Sequence, residues 1–379
     1  MRKLKVCHIV NWYPNPWNEK EAIWTQRHIN GLNDLADNLV YHIQVRKGKF
    51  KFHSYSNSKT EHALILTTKT DIWFLKEILT TLMVIYVLLF KIKRKQFDGF
   101  NFHITYPLLT YSRIIQLFTG RSIVITDHWS AYHFNFGVQK KLRRIQRIFK
   151  NKNLKFICVS EALVRDIESF SESKINSSVV PNVIDTEVFQ FRPKSHVRNQ
   201  IFMVSYWKYP KDPIFIFEVV EALVEDGKEV ELVVGGFGPL QETMEKWVMD
   251  HGLSEIIKFS GKLNSSEIAN TMADSSVFVH CSDYEVASVV CMEAHSVGCP
   301  IIASNVGGIP EYVNDSNGVL LDGKNREEWK EAIVKVLNTD YDREKIAATG
   351  GSRFSEKSVS EKYLNVLNTI FNSDQKARV

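Results

Sequence analysis

Short apolar runs rich in β-branched residues alternate along the chain with segments of helical periodicity. The runs that predict strands are KVCHIV, ALILTT, GFNFHI, SIVITDH and KFICVS in the first half, and IFMVSY, EVELVVGG, IIKFSG, SVFVHC and PIIASN in the second. Amphipathic helices are predicted between them, among others for PIFIFEVVEALVEDG, LQETMEKWVMDHG and REEWKEAIVKVLN. This alternation predicts parallel sheets covered by helices on both faces.

The pattern runs twice, which predicts an α/β protein of two doubly wound, Rossmann-like domains facing each other across a cleft. A length of 379 residues also suits two domains. We place them at residues 1–185 and 186–355, with a linker near NVIDTEVFQFRPKSHVRNQ. Residues 356–379 predict a last helix that packs back toward the first domain, followed by a polar tail. Ligands bind such sheets at the carboxyl ends of the strands, where we expect the site.

Composition excludes several classes of protein. An apolar content of 44%, with 12% aromatic residues, is enough for well-filled cores and excludes a disordered chain. The five cysteines show no CxxC or CxH spacing, which argues against a zinc site or a disulfide framework and suits a reducing cytosol. The opening MRKLKVCHIVNWYP has too short an apolar core for a signal peptide, so it predicts a first strand.

Charge is distributed unevenly between the two halves. Residues 1–150 hold 24 Lys and Arg against 9 Asp and Glu, whereas residues 151–379 hold 24 against 34. The net charges are therefore +15 and −10, which sum to the +5 of the whole chain. A basic first half predicts an anionic partner, either nucleic acid or an anionic membrane surface. No nucleic-acid-binding module is recognisable, so we expect the membrane.

Two segments have a composition that is relevant to membrane binding. Ile72–Lys95 contains 13 uncharged residues, Ile78–Phe90, followed by four cations, and a bilayer needs about 20 residues to be spanned. Lys140–Lys152 carries seven cations and no acid, with its apolar residues on one helical face. The second segment has two readings: an amphipathic helix lying in the membrane interface, or a helix packed on a sheet with a solvated basic face.

Two glutamates, Glu285 and Glu293, stand in the apolar stretch CSDYEVASVVCMEAHSVGCPIIAS. Along a helix they would lie about 12 Å apart, whereas a glycosidase acid and nucleophile need about 5 to 9 Å. We therefore expect an elongated ligand held at two points, with Glu285 in a loop and Glu293 about a turn into the next helix. A solvated or structural role for either residue is the alternative. The helix start between them would offer N–H groups to a phosphate.

This stretch resembles the signature of family-4 glycosyltransferases, which have the GT-B fold. The matching positions are Glu285, Glu293-Ala294, Gly298, Pro300–Ser304, Gly307-Gly308 and Pro310-Glu311. The likeness extends to VPNVIDTEVF, which resembles the hinge segment of the family, and to VGGFGPLQETM, NWYPNP, EAIWTQRH and VITDHWSAY. By this resemblance the whole chain is identified as a member of the family.

The resemblance implies roles on the donor side. Glu285 would contact the donor sugar, and Glu293 would bind the ribose hydroxyls of the nucleotide. The backbone N–H groups of Ser288 and Val289 would face the sugar or the diphosphate. Lys211, in SYWKYPK, matches the lysine that neutralises the leaving diphosphate.

On the acceptor side, His128 in TDHWS matches a histidine near the reacting sugar carbon, although a lone histidine there is often structural. His103 in NFHITYP is a second acceptor-side candidate. The chain also departs from the family in its donor pocket. Ala22 stands where relatives have glycine, and Tyr206 replaces an arginine, for which Lys208 would partly compensate. Val286 and Ala287 stand where glycine and phenylalanine are usual.

The implied function is that of a hexosyltransferase-type enzyme, which transfers a sugar from a nucleotide-sugar donor with retention. No cofactor or metal is expected, because GT-B enzymes generally hold the diphosphate with cations and helix ends, and no DxD-type aspartate pair here demands a metal. We expect a lipid-linked or surface-polysaccharide acceptor of capsule, exopolysaccharide or lipopolysaccharide type. The location predicted is cytoplasmic and peripheral on the inner face of the cell membrane. The alternatives are a sugar-nucleotide epimerase, a polysaccharide phosphorylase, and a degenerate, non-catalytic binding subunit.

Overall fold

A computed structural model of the protein describes residues 2–69, 71–193 and 199–376. The chain divides into two compact units, Met1–Val183 with Glu356–Val379, and Ile184–Ser355. The predicted boundary after residue 185 lies two residues from this division. Residues 194–198 of the predicted linker and residues 377–379 of the predicted tail lie outside the described residues.

The first unit is built on one eight-stranded sheet with the order β3-β4-β2-β1-β5-β6-β7-β8. All its neighbours are parallel except the hairpin β3–β4. The strands are β1 Leu4–Val10, β2 Ala36–Lys47, β3 Lys51–Ser56, β4 Glu61–Thr68, β5 Gly99–His103, β6 Ser122–Asp127, β7 Lys155–Cys158 and β8 Ser177–Val179. The strand order reverses between β1 and β5, which is where such sheets bind ligands.

Helices cover this sheet. They are α1 Ile23–Asn30, α2 Trp73–Tyr86, α3 Ser112–Thr119, α4 Arg143–Phe149 and α5 Glu161–Ser171. The last helix of the chain, α12 Glu356–Lys376, also belongs to this unit. It is held there by Tyr363, whose hydroxyl contacts Thr126 at 2.7 Å, and by Phe371, against which the backbone of Gly99 lies so closely that a Cβ would clash.

The second unit has a six-stranded, all-parallel sheet with the order β11-β10-β9-β12-β13-β14. Its strands are β9 Gln200–Tyr206, β10 Glu231–Phe237, β11 Ile257–Gly261, β12 Val277–His280, β13 Ile301–Ser304 and β14 Gly318–Leu321. Its helices are α6 Pro213–Glu225, α7 Gln241–Asp250, α8 Ser265–Asp274, α9 Val289–Ser296, α10 Arg326–Leu337 and α11 Arg343–Phe354. This order is that of a dinucleotide-binding Rossmann domain, with the reversal between β9 and β12.

Each sheet face of the second unit has its own core, which explains why its strands read as unbroken apolar runs. In β9, Ile201 and Met203 belong to one buried cluster, and the alternating Phe202 and Val204 belong to the other. Side chains of a strand point alternately to its two faces, so a strand with helices on both sides is apolar at every position. The predicted doubly wound α/β organisation is thereby confirmed in both units.

Helix α4 corresponds to the basic segment at residues 140–152, and its apolar side is not free. Ile145, Ile148 and Phe149 are buried in the first unit, and the Phe149 ring stacks on Phe156 at 5.5 Å. Of the two readings of this segment, the structure therefore supports the packed helix with a basic outer face. A membrane-inserted apolar face of α4 is excluded by this packing.

Helix α2 differs from its sequence-based description. With the π-helical turn Val87–Lys91, it forms one stretch, Trp73–Lys91, of 19 residues, long and apolar enough to cross a membrane by length and composition. The sequence-based estimate covered only 13 uncharged residues. The helix is longer because it begins at Trp73 and includes Lys76 and Glu77. One side of this helix is buried in the first unit, and the other carries exposed apolar side chains.

Candidate functional site

The strand ends at the reversal point of the second sheet bring two predicted residues together. Lys211 follows β9 and Glu285 follows β12, and these strands are neighbours. The backbones of the two loops also pair: Lys211 bridges Ser282, and Asp212 donates its N–H to the carbonyl of Cys281 at 3.2 Å. Two residues 74 positions apart in the sequence therefore share one edge of the sheet.

Glu285 is the centre of this group. Its Oε1 lies 2.5 Å from Nζ of Lys211 and 2.8 Å from Nε2 of His280, so one carboxylate oxygen contacts both donors. His280 is the last residue of β12 and is buried, and its Nε2 also lies 3.4 Å from Oγ of Ser288. His280 was not among the predicted site residues. Its signal was a lone histidine ending an apolar strand five residues before Glu285.

Glu285 is held ionised by these contacts. Burial by itself raises the pKa of this carboxyl, but the hydrogen bond from His280 and the positive charge of Lys211 outweigh burial, so its pKa is lowered. A buried anion of this kind attracts hydroxyl groups and cations. Lys211 is equally confined, with 18% of its side chain exposed, and a new anion could compete with Glu285 for it.

The GG pair of the motif fixes the backbone of Glu285. Gly308 donates its N–H to the Glu285 carbonyl at 2.9 Å. Gly307 has φ +55°, and a Cβ there would lie 1.6 Å from the same carbonyl oxygen, so only glycine fits. Glycine is therefore required at residue 307, because the backbone there lies close to the Glu285 carbonyl.

Lys324 ties the loops that flank the pair. Its Nζ lies 2.7 Å from both Asp212 Oδ2 and Asp283 Oδ1, and these carboxylates raise the pKa of the lysine although partial burial opposes them. Asp212 also caps α6 by accepting from the N–H of Phe215. Lys324 was not predicted as a site residue. Its two ion pairs fix the distance between the loop that carries Asp212 and the loop that carries Asp283.

Glu293 and the start of α9 lie where the spacing predicted. Ser288 is the residue before α9, Val289 is its first residue, and Glu293 is buried in its second turn. The first N–H groups of a helix have no partner inside it, so Ser288 and Val289 begin an anion-favouring helix end. Tyr312, from the loop after Gly307-Gly308, donates to the Ser288 carbonyl at 3.0 Å and fixes this start.

Aromatic and basic side chains accompany the ends of β9 and β10. Tyr206 and Phe237 pair in register, and their half-exposed rings meet edge to face at 5.2 Å. Nζ of Lys208 lies 5.5 Å from the Tyr206 ring and Nζ of Lys262 lies 5.2 Å from the Phe237 ring. Lys208 therefore stands beside the residue that replaces the arginine of the family, and its compensating role stays a prediction.

The first unit collects three buried histidines and one partly buried histidine near the reversal point of its own sheet. Nδ1 of His8 contacts Nε2 of His103 at 3.0 Å, and the rings of His28 and His128 lie 5.1 Å apart. His28 donates from Nε2 to the carbonyl of Pro181, and Nδ1 of His128 contacts Oδ1 of Asn182 at 3.1 Å. We name these four, His8, His28, His103 and His128, the histidine quartet.

Burial lowers the pKa of every member of the quartet, to about 4 for His8 and His28. For His103 and His128 the pKa falls well below the usual range, through burial first and then through the neighbouring imidazoles. These rings are therefore neutral near pH 7. Nε2 of His128 and Nδ1 of His103 are buried without a hydrogen-bond partner in the described part of the chain.

Asp127 anchors the loop that carries His128. Its carboxylate accepts from the N–H and the hydroxyl of Thr105, from the N–H of Trp129 and from the hydroxyl of Tyr132. Burial raises its pKa against these four hydrogen bonds. Asp127 was not among the predicted site residues, although an aspartate at the end of a buried strand could have indicated a structural or functional role.

Ala22 occupies a position that favours glycine. It precedes α1 with φ 49° and ψ 45°, in the left-handed region, and it is buried. Ala22, His103 and His128 belong to the first unit, whereas Tyr206, Lys208, Lys211 and the residues from 285 to 293 belong to the second. The structure thus brings together Lys211 and Glu285 in one unit and His103 and His128 in the other.

No group of three or more His, Cys, Asp or Glu side chains suited to a metal occurs among the described residues. The five cysteines are buried free thiols. That the reaction needs no metal or cofactor stays a prediction.

Two family models match the chain. The model described as "Glycosyl transferases group 1" matches residues 185–353, and "Glycosyltransferase Family 4" matches residues 30–188. Among similar proteins, one subunit of the phosphatidylinositol N-acetylglucosaminyltransferase of Arabidopsis thaliana is 25% identical over 262 residues, 65% of this chain and 56% of its own length.

A second relative is the GDP-mannose-dependent monoacylated alpha-(1-6)-phosphatidylinositol monomannoside mannosyltransferase of Corynebacterium glutamicum. It is 26% identical over 150 residues, 37% of this chain and 39% of its own length. This chain thus spans about half or less of the lengths of these relatives.

Two solved structures show the same fold. The lipopolysaccharide outer core galactosyltransferase WaaB matches with a TM-score of 0.74 and 15% identity over 98% of this chain and 100% of its own. HepE of Anabaena in complex with UDP matches with a TM-score of 0.71 and 15% identity over 97% and 100%. The fold is GT-B, and with both halves of the chain matched by family models, the chain belongs to glycosyltransferase family 4.

Proposed function

We propose that the protein transfers a sugar from a nucleotide-sugar donor, with retention, onto a lipid-linked or surface-polysaccharide acceptor. The observation that carries this proposal is the Lys211–Glu285 pair at the strand reversal of the second unit, on the edge where such sheets bind ligands. The family supplies the expectation of retention. Three of the proteins named above are named for phosphatidylinositol, a phosphatidylinositol monomannoside and the lipopolysaccharide outer core, which favours a lipid-linked acceptor.

In this proposal the residues of the pair act on opposite parts of the donor. The bond between the anomeric carbon and the diphosphate breaks, and the leaving diphosphate carries new negative charge. Lys211 neutralises this charge, while the fixed carboxylate of Glu285 binds the sugar and supports an oxocarbenium-like centre. Glu293 binds the ribose, and Ser288 and Val289 direct their N–H groups at the diphosphate.

Tyr206 and Lys208 complete the donor site of the second unit in this proposal, and the donor contact that the family implies for Ala22 stays a prediction. His103 and His128 line the acceptor side, where an unpartnered imidazole nitrogen can accept a hydrogen bond from a hydroxyl group. The acceptor oxygen then forms the new bond to the anomeric carbon, and its proton passes to the departing diphosphate.

The first experiment follows nucleotide release from a panel of UDP-, GDP-, ADP- and dTDP-sugars, with and without lipid extract. We expect release from one donor, and a loss of about 100-fold or more in Lys211→Ala and Glu285→Gln. Lys258→Ala is the matched control, because Lys258 pairs with the exposed Glu255 on the surface of the same unit.

Each outcome separates a different part of the proposal. Full release by Glu285→Gln would remove the pair from the mechanism. Silence of the wild-type protein, together with no thermal stabilisation by any donor, would remove the donor site altogether.

A non-catalytic binding subunit is the second candidate. Tyr206 in place of the arginine of the family favours it, because a tyrosine cannot grip a phosphate with two N–H groups. Thermal stabilisation by one nucleotide sugar, with no turnover on any acceptor, would support this candidate. An epimerase would instead convert the donor without an acceptor, which product analysis detects.

We also propose a peripheral location on the cytoplasmic face of an anionic membrane, based on the +15 charge of residues 1–150. Flotation of the wild-type protein with vesicles tests it. Binding should require phosphatidylglycerol and should weaken as salt is added, because salt screens the attraction. Equal flotation with neutral vesicles, or none with anionic ones at low salt, would contradict the electrostatic part.

A further inference from the structure

An open basic pocket of about 630 Å³ lies between the end of helix α2 with its π-helical turn and the end of α3. We name it the basic pocket. Its lining includes four cations and two apolar side chains, namely Lys93, Arg94, Lys95, Arg121, Leu89 and Ile92. It lies in the first unit and is built by none of the residues assigned to donor or acceptor.

The cations of the basic pocket have no acidic partner among the described residues. The guanidinium of Arg94 donates to the carbonyl of Phe118, and that of Arg121 donates to the carbonyl of Lys95 at 3.1 Å. The acid nearest in sequence, Asp98, is paired with Arg2 at 2.7 Å. Two guanidinium groups are thus positioned by backbone carbonyls while their charge stays uncompensated, which favours an anion with several oxygens.

An apolar surface continues from the basic pocket along α2. Leu82, Tyr86, Leu89 and Phe90 share the exposed side of the helix, and 72% of Phe90 is exposed. On α3, which contacts α2, Ile114 and Leu117 are exposed as well, Leu117 by 81%. We name these six residues the apolar stripe.

Cations are joined directly to the apolar stripe. Nζ of Lys91 lies 5.6 Å from the Tyr86 ring, and the rings of Tyr86 and Phe90 lie 5.6 Å apart. Exposed aromatic and aliphatic side chains next to unpaired cations match the boundary between lipid headgroups and acyl chains. A soluble anion or a nucleic acid would use the cations but would leave the stripe in water.

We propose that the basic pocket binds the phosphate of an anionic phospholipid headgroup while the apolar stripe enters the acyl boundary of the same leaflet. This inference rests on the proposed peripheral membrane location and identifies the surface responsible for it. Lys93, Arg94, Lys95 and Arg121 surround the phosphate, and Leu89 and Phe90 mark the depth at which the bilayer becomes apolar.

The test compares vesicle binding of three variants, with phosphatidylcholine vesicles that contain or lack phosphatidylglycerol. Lys93→Gln with Lys95→Gln should weaken binding to anionic vesicles by about tenfold. The matched control, Lys49→Gln with Lys51→Gln, removes the same charge from exposed positions of the same unit and should change binding by less than about threefold. Phe90→Ser should weaken binding about tenfold without a change of charge.

Insertion has a readout of its own. An environment-sensitive fluorophore on Phe90→Cys should brighten and shift to the blue on anionic vesicles, whereas the same label on Met249→Cys, an exposed position of the second unit, should not. No response at residue 90, or equal losses in the two lysine pairs, would overturn the proposal. Displacement by millimolar inorganic phosphate at constant ionic strength would show a free-phosphate site and would also overturn it.

Donor binding separates this inference from the proposed enzymatic function. The three variants lie outside the Lys211–Glu285 site, so thermal stabilisation by the nucleotide sugar should be unchanged in each. If no donor stabilises even the wild-type protein, the enzymatic proposal fails while the vesicle results still decide the lipid site. Thermal unfolding without ligand checks that the variants fold, as expected for exposed side chains.

Discussion

Glu285 illustrates how one carboxylate depends on a residue that touches no proposed ligand. Its Oε1 contacts both Lys211 and His280, and only Lys211 matches a position of the family motif. His280 is buried at the end of β12, stacked on Phe278, and its N–H is directed at the carboxylate. We therefore infer that His280 is a positioning residue, which keeps Glu285 ionised and oriented.

The first prediction concerns this role. In His280→Leu, burial would raise the pKa of Glu285 because a hydrogen bond that opposes burial is lost. As the pH is lowered, donor binding, measured as thermal stabilisation by the nucleotide sugar, should then be lost at a higher pH than in the wild type. His280→Gln, which keeps an N–H donor, should restore most of the wild-type pH profile.

Two other titratable groups near Glu285 do not confuse this test. Burial raises the pKa values of Cys291 and Tyr312, so both side chains stay neutral as the pH falls. An acid limit that is identical in wild type and His280→Leu would show that His280 is only a packing residue. Glu285→Gln should lose the acid limit together with most of the binding.

The second prediction concerns the strained backbone at Ala22. Glycine adopts φ 49° without the steric cost that a Cβ imposes, so Ala22→Gly should raise the free energy of unfolding by about 1 kcal/mol. Urea denaturation measures it. Ala162→Gly, in helix α5 of the same unit, should change stability by a similar amount in the opposite direction. Destabilisation by both changes would contradict the strain at residue 22.

The histidine quartet is assembled from four secondary-structure elements. His8 lies in β1, His28 in α1, His103 at the end of β5, and His128 directly after β6. A histidine whose pKa is lowered on folding is neutral in the folded state, and the unfolded chain binds its proton first as the pH falls. The stability that these neutral histidines contribute is therefore fully present above pH 6.5. It is lost as the pH falls from 6.5 toward about 4, the pKa of His8 and His28.

The third prediction is an acid-sensitive first unit. Between pH 7 and pH 4 we expect a loss of up to about 3 kcal/mol for each of His8 and His28. His8→Gln should reduce the slope of unfolding free energy against pH in this window. Asp127, whose pKa is raised by burial, acts in the opposite sense, so the variant and not the wild-type slope is decisive. An unchanged slope would exclude His8 as its source.

At the scale of the whole molecule, helix Trp73–Lys91 could lie on a membrane or cross it. Its buried side holds Glu77, only 3% exposed, which pairs with Arg144 at 2.5 Å and accepts from the hydroxyl of Tyr106 at 3.2 Å. Crossing a bilayer would break this ion pair and expose the core of the first unit. The cost of an uncompensated carboxylate in lipid favours a helix that lies on the surface.

The fourth prediction follows from that comparison. Protein bound to anionic membranes should be released by alkaline carbonate, because a surface helix is held by charge and shallow apolar contact. A membrane-spanning control protein should stay in the pellet. Retention of this protein after carbonate would contradict the surface arrangement, whatever the result of flotation.

Strand prediction succeeded where a strand is apolar throughout and failed where tertiary context decides. All ten predicted runs form strands, but β2, β3, β8 and β14 were missed. In β2, charged and polar residues such as Asp37 and Arg46 interrupt the run, and β3 is a polar edge strand. β8 has only three residues, two of them serines, and β14 offers three apolar residues between Asn317-Gly318 and Asp322-Gly323, which read as turns.

Periodicity, motif spacing and charge are local properties of the chain. They were enough to predict the doubly wound class of both units, the positions of Glu285 and Glu293 around a helix start, and the charge imbalance. Tertiary structure was needed to bring both Lys211 and His280 to Glu285 and to assemble the histidine quartet. It also buried the apolar side of α4, whereas α2 is apolar on two sides, one buried in the first unit and the other exposed. These contacts join residues far apart in the chain, and strand order and packing decide which of them meet.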